Sequence, residues 1–361
     1  MPGGDRDGVA TLRGVTLADT LAWLVDIDSP YGSEAAIADA VANRLSAHPI
    51  RRHGAGLVVG EPVDDRPMVL LVGHLDTVPR QGQGPARIVD GRLVGLGASD
   101  MKSGLAVMLH LLETPEVLAG PHHVVAVFYD REEGPVQDNQ LGPILEAEPW
   151  LTEARFAVVC EPTDLQLEVG CNGAMNIRCH FEGRSAHSAR PWLGENAIHR
   201  AARLLQRLAD REPNDVEVGG LVFREVMGAT LADGGVSRNV IPKDFWVNVS
   251  YRFPPTLTLD EAEARFRAFV GDDADRLEFV DRAPAGPVPE GDPHLERLMA
   301  VSGAPIHPKQ GWTDVARLAQ FGIPAVNYGP GETAQAHQVD ESVELGNLDV
   351  ACDVLRRWLS G

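Results

Sequence analysis

Apolar and polar positions follow two different periods along this chain. The stretch 67–78 carries a short unbroken apolar run, and so do 124–129 and 156–160. A run that is apolar on both faces suits a strand covered by helices on either side, the environment of a parallel sheet. Elsewhere in the same regions the spacing is i, i+3, i+4, i+7, at Leu105, Met108, Leu109 and Leu112 within 101–112 and at Leu345, Leu348, Cys352, Leu355 and Leu359 within 341–359. That spacing lays one apolar stripe along a helix. These parts of the chain predict an α/β structure with a mostly parallel sheet.

Beyond about residue 173 the period becomes two. Ile177, Cys179 and Phe181 alternate with Arg178, His180 and Glu182, while Phe245, Val247, Val249 and Tyr251 alternate with Trp246, Asn248, Ser250 and Arg252. Strict alternation marks a sheet with one wet face, typical of antiparallel pairing. Helices are predicted over 196–210 and from Thr258, where Thr258 and Glu261 have the spacing of a capping box. A Pro/Gly-rich stretch, 283–293, follows, and apolar strand texture returns over 323–328. The pattern predicts a small α+β domain, residues 174–283, inserted into a larger α/β domain made of residues 1–173 and 284–361. A chain of 361 residues is long enough for two such cores.

Composition narrows the function. Apolar residues make up 44% and charged residues 23%, which is globular usage. A formal net charge of -20 repels phosphate backbones and anionic lipid, so nucleic acid and membrane surfaces are poor partners. No apolar run approaches the ~18 residues of a membrane span, and the first residues lack the basic-then-apolar run of a signal peptide. The expectation is a cytoplasmic chain. Cys160, Cys171, Cys179 and Cys352 form no C-x-x-C pair or zinc-finger spacing and read as buried thiols.

The chemistry gathers just beyond the apolar strands. One runs into His74-Leu75-Asp76, another into Asp130-Arg131-Glu132-Glu133, a third into Glu161-Pro162-Thr163, and the late strand into a Gly329-Pro330-Gly331 loop followed by His337. Asp100 precedes the helix containing Leu105. In open parallel sheets, ligands bind in the crevice at these carboxyl ends. Singly, each residue has a plain structural reading: His74 as a satisfied imidazole, Asp76 as a turn former, Asp100 as an N-cap, Glu132-Glu133 as a solvated pair, Glu161 as a surface turn. Jointly those readings fail, because so many oxygen and nitrogen donors aimed at one crevice repel one another unless cations lie between them. Two histidines and three carboxylates, one of them shared, give two zinc-like ions three protein ligands each, with room for a bridging water. Neighbours Glu132 and Glu133 cannot point the same way, so one can bind metal while the other takes the water's proton and passes it to the leaving nitrogen. Asp76, two residues from His74 on the same face, is suited to hold the imidazole tautomer.

In order and across nearly the whole chain, His74-Leu75-Asp76-Thr77-Val78-Pro79, Gly97-Ala98-Ser99-Asp100-Met101-Lys102, Glu132-Glu133-Gly134, Glu161-Pro162-Thr163 and Ala336-His337 resemble the co-catalytic zinc aminoacylase and carboxypeptidase superfamily. The resemblance implies His74, Asp100 and Glu161 on one zinc and Glu133, Asp100 and His337 on the other, with cobalt able to replace one ion. It implies Glu132 as general base, a cis Asp100–Met101 peptide, and an inserted lid and dimerisation domain. The segment 183–197 around His187 resembles the lid of succinyl-diaminopimelate desuccinylases of the actinobacterial type. By that likeness His187 reaches the neighbouring subunit's site as an oxyanion donor, and Asn239, Arg252, Thr313 and Gly329 contact substrate.

The leading expectation is hydrolysis of N-succinyl-LL-2,6-diaminopimelate by a homodimer. N-acetylornithine deacetylation, other acyl-amino-acid hydrolysis and dipeptide cleavage share the same water, base and metals. A non-catalytic dimeric scaffold is the reading from another class, and an intact Glu132 argues against it.

Overall fold

The computed structural model describes residues 14–62 and 66–361; the N-terminal residues on which the signal-peptide reading rests lie outside the described residues. Its largest sheet has eight strands in the order Ile50–His53, Gly56–Val59, His123–Tyr129, Met68–His74, Phe156–Val159, Ala325–Asn327, Leu167–Cys171 and Ile306–Lys309. The four central strands, His123–Tyr129 to Ala325–Asn327, run parallel, and antiparallel neighbours flank them on both sides. Unbroken apolar runs gave these strands away because each face has its own core. Val69 and Leu71 pack with helices Lys102–Leu112 and Leu345–Ser360, whereas Leu70 and Val72 pack with Leu141–Ala147 and Val315–Gln320. Each fully buried Val or Leu contributes roughly 1.5–3 kcal/mol.

The stretch 173–283 forms a separate five-stranded antiparallel sheet, in the order Asn214–Val218, Leu221–Gly234, Asp244–Phe253, Gly173–Glu182 and Arg276–Ala283. Its buried face, with Ile177, Cys179, Phe181, Val247, Val249 and Tyr251, lies under helices bearing Leu204, Leu208, Phe266 and Val270. Where the chain passes between the sheets, Cys171 and Gly286 exchange two backbone hydrogen bonds of 3.0 Å. The fold is therefore mixed α/β, a large mostly parallel sheet with a separate antiparallel one.

Three local expectations change. The helix predicted over 196–210 is interrupted at Ala201, giving Ala197–Arg200, capped by the Asn196 side chain, and Ala202–Ala209. The last helix starts at Leu345 rather than 341, because Ser342–Glu344 pairs with Arg92–Val94 as a strand. Asn248, expected on the wet face, is buried and donates to Thr230 Oγ1 at 2.7 Å and Asn176 Oδ1 at 3.2 Å. The Thr258 capping box forms, with Glu261 N donating to Thr258 Oγ1 and Thr258 N to Glu261 Oε2.

Candidate active site

The carboxyl ends of the four parallel strands deliver the predicted residues to one crevice. His74 is the last residue of its own strand, His123–Tyr129 runs into Asp130 to Glu133, Phe156–Val159 into Glu161, and Ala325–Asn327 into Gly329. The helix Lys102–Leu112 begins two residues after Asp100, and the Asp100–Met101 peptide is cis. Ligand atoms of His74, Asp100 and Glu133 lie within 4.8 Å of one another. Asp100 faces two ways: Oδ1 is 3.3 Å from His74 Nε2, and Oδ2 is 3.6 Å from His337 Nε2. Glu161 Oε1 lies 3.8 Å from His74 Nε2, and Glu133 Oε2 lies 3.0 Å from His337 Nε2. One aspartate thus stands between two histidines, each with its own glutamate.

The role expected for Asp76 shifts. The shorter contact to His74 Nδ1 comes from the Asp76 carbonyl oxygen, at 3.0 Å, while the carboxylate is 3.5 Å away. A donated Nδ1–H leaves Nε2 free to face Asp100. The Asp76 carboxylate instead accepts the backbone N–H groups of Glu132, at 3.1 Å, and Glu133, at 2.9 Å. It fixes the peptide that carries both glutamates. Two residues at the site, Arg131 and His337, adopt left-handed φ values of 62° and 64°, conformations that non-glycine residues hold only where their surroundings impose them.

The electrostatics fit divalent cations. Burial pushes the Glu161 carboxyl up to about 8, with the Asp100 charge adding to it. Burial likewise raises Glu132 well above the carboxylate range, and Glu161, Asp314 and Glu133 reinforce the shift against the pull of His74. Burial would depress His74, but hydrogen bonds to Asp100 and Asp76 and the charge of Glu161 outweigh it and lift the imidazole well above its usual value. The hydrogen bond to Glu133 carries His337 up to about 9. Without a cation these groups resolve their repulsion by holding protons. Nitrogen and carboxylate donors so arranged suit a borderline metal such as zinc.

Of the lid and substrate residues, Gly329 packs beside Glu161, while His187 and Asn239 make no hydrogen bond or ion pair with the carboxylate cluster among the described residues. His187 is exposed, its Nδ1 accepting from Ala189 N at 3.1 Å, and its backbone bridges Val240. Asn239 is exposed beside it, joined to Ser188 and Ser237. Arg252 is half-buried, and burial lowers its pKa. Thr313 is buried with its Oγ1 unpartnered. Gly329 is buried against the Cys160–Glu161 backbone, where a Cβ would come within 2.4 Å of Glu161 O.

Sequence reading missed Glu341. This buried carboxylate accepts from the backbone N–H groups of Gly97, Ser99 and Asp100 at 2.7, 2.8 and 2.9 Å, holding the turn that aims Asp100. Burial nonetheless raises it to about 7. Its one signal was a carboxylate four residues after His337, at the head of an apparent helix.

The sequence profile of peptidase family M20/M25/M40 matches residues 70–361. The chain belongs to this family. It is a metal-dependent amide hydrolase. A putative succinyl-diaminopimelate desuccinylase of Mycobacterium tuberculosis is 42% identical over 357 residues, covering 97% of this chain and 99% of the relative. A succinyl-diaminopimelate desuccinylase of Corynebacterium glutamicum is 35% identical, covering 93% and 94%. Among solved structures, the aminopeptidase PepT of Bacillus cereus superposes with a TM-score of 0.77 at 20% identity, covering 95% and 97%. The M20 metallo-carboxypeptidase Sso-CP2 of Sulfolobus solfataricus gives 0.77 at 15% identity, covering 95% and 98%. These last two share the fold.

Proposed function

We propose that the chain hydrolyses the amide of N-succinyl-LL-2,6-diaminopimelate, releasing succinate and LL-2,6-diaminopimelate for diaminopimelate and lysine synthesis. The substrate assignment is supported by near full-length similarity to the two desuccinylases. The observation that carries the chemistry is Asp100, with one oxygen toward His74 and the other toward His337. His74, Asp100 and Glu161 would hold one zinc and Glu133, Asp100 and His337 the other, with cobalt as a substitute. Bound there, divalent ions supply Lewis-acid polarisation of the amide carbonyl and lower the pKa of water.

The chain's own residues do the rest. Glu132 removes a proton from the attacking water as its oxygen bonds to the carbonyl carbon, then delivers that proton to the nitrogen as the C–N bond breaks. Asp76 keeps Glu132 in place through its backbone N–H. Arg252 and Asn239 hold substrate carboxylates; in support, Arg252 has no ion pair within 4.0 Å among the described residues, and a half-buried guanidinium without one favours an anion. Thr313 and Gly329 contact the substrate as well. His187 of the partner subunit donates to the oxyanion; its exposure and freedom from the cluster support a role outside its own chain. The antiparallel sheet and its helices thereby serve as lid and dimer contact. Four free thiols accord with a reducing, cytoplasmic setting.

Purified, zinc-loaded protein assayed for free-amine release should prefer the succinylated diaminopimelate over N-acetylornithine, other acyl-amino acids and dipeptides. A higher kcat/KM on any of those three would replace this substrate.

A further inference from the structure

We propose that Asp314 is the positioning residue for the 130–140 loop, and that through this loop it sets the pose of Glu132 and Glu133. The loop leaves the strand His123–Tyr129 and returns into the helix Leu141–Ala147, and Gln140 N closes its neck on Asp130 O at 3.1 Å. Asp314 is wholly buried, and its carboxylate grips both ends of the loop at once. Tyr129 Oη donates to Oδ2 at 2.6 Å, and Asn139 Nδ2 reaches Oδ2 at 2.9 Å and Oδ1 at 3.2 Å. Arg317 Nε donates to Oδ1 at 2.9 Å, and its Nη2 donates to Val136 O at 3.0 Å, pinning the middle.

Packing alone would not require a carboxylate here. An ionised group in the interior is costly unless its lone pairs are filled, and a well-packed apolar residue of similar size serves stability as well or better. What a carboxylate adds is direction: three donors must converge on two oxygens, so Tyr129, Asn139 and Arg317 each have one position. Burial and the Asp314 charge raise the Tyr129 hydroxyl well above its usual pKa, so it remains a donor. The held segment needs such restraint. Arg131 sits in the left-handed region immediately before Glu132, and a free loop would relax it. Asp314 is itself anchored, since the Arg317 guanidinium lies over the Trp312 ring, 5.6 Å from its centroid, and Trp312 Nε1 donates to Pro284 O at 3.0 Å where the chain passes between the two sheets.

The catalytic consequence rests on the amide-hydrolase reading above; the loop ordering does not. The test compares full-length wild type with Asp314→Asn and Tyr129→Phe by amide hydrogen exchange and by steady-state kinetics on whichever acylated substrate the wild type cleaves. In Asp314→Asn, peptides spanning 130–140 should exchange roughly tenfold faster or more, the equivalent of one lost hydrogen bond to a charged group. Peptides of the five-stranded sheet should be unchanged. The kcat should fall about 10- to 100-fold with KM within about twofold, because misplacing a reacting group by ~1 Å has that effect. Tyr129→Phe, which removes one hydroxyl, should show the same pattern more weakly and decides the matter if Asp314→Asn does not fold. Wild-type exchange over 130–140, or an unchanged kcat per folded chain, overturns the proposal. If the wild type cleaves no acylated substrate, the functional reading fails and the exchange data alone judge the positioning role.

Discussion

A Gly329→Ala substitution puts a Cβ 2.4 Å from the Glu161 carbonyl oxygen and 2.6 Å from that of Cys160. Ordinary contact begins near 3.4 Å, so something must move by about 1 Å. Both obstacles are backbone atoms, so no rotamer relieves the clash. Overpacking of this kind costs about 1–3 kcal/mol, which lowers the melting midpoint by a few degrees in a chain of this size. The larger consequence is local. Glu161 rides on the displaced backbone, and a ~1 Å error in a reacting constellation typically lowers the rate ~100-fold. Chelator competition should show one zinc weakened at least about tenfold with the other largely retained, alongside a fall in kcat. Zinc affinities within twofold of wild type and kcat within threefold would falsify the packing argument. A change in KM alone would instead mark Gly329 as a substrate contact.

Glu132→Gln should keep both metals and the melting midpoint while kcat falls roughly 100- to 10,000-fold, since nothing then accepts the water's proton; loss of metal in that variant counts against its role as base. Mixing His187→Ala chains with Glu132→Gln chains should restore activity as subunits exchange, because one site of each mixed dimer is complete, whereas demonstrated exchange without recovery removes His187 from the partner's site. Burial, with the charges of His294 and Arg297, lowers the His122 imidazole to about 4. Its neutral form is thus favoured by folding, and stability present above about pH 6.5 should be lost as pH falls toward 4, by up to about 3 kcal/mol. Urea titrations at pH 7 and 4.5 should show that loss shrink in His122→Phe, and an equal loss in both proteins would refute it.

What the sequence made legible follows from the range of the forces involved. The four central strands could be read because residues such as Val69 to Val72 are buried on both faces, a local pattern with a direct physical cause. His74, Glu133 and Glu161 could be singled out because they stand at or just beyond the ends of such strands, and Asp100 because it precedes a helix. Asp76 reads from its spacing as a partner of His74, but no spacing reports that its carbonyl oxygen makes the shorter contact to the ring or that its carboxylate also accepts from Glu132 N and Glu133 N. Glu341 was hidden in an apparent helix; its partners Gly97 to Asp100 lie more than 240 positions earlier in the chain, and no local period reports that pairing. The burial of Asn248 depends likewise on partners distant in sequence, Asn176 and Thr230.

Three carboxylates around the site share one chemistry. Asp76, Glu341 and Asp314 are buried carboxylates outside the predicted ligand set, and each accepts from a segment that bears a ligand or the base: Asp76 from the Glu132–Glu133 peptide, Glu341 from the turn before Asp100, Asp314 from both ends of the 130–140 loop. A carboxylate offers two oxygens and about four lone-pair directions, so it can collect several backbone donors that an amide or hydroxyl could not. The cost is more negative charge around a cluster already short of cations. That cost is tolerable only if positive charge returns to the centre, as protons on Glu161, His74 and His337 or as divalent ions in their stead. Part of the chain's net charge of -20 therefore belongs to the interior, where it orders the ligands and favours cation uptake, and not to a solvated surface alone.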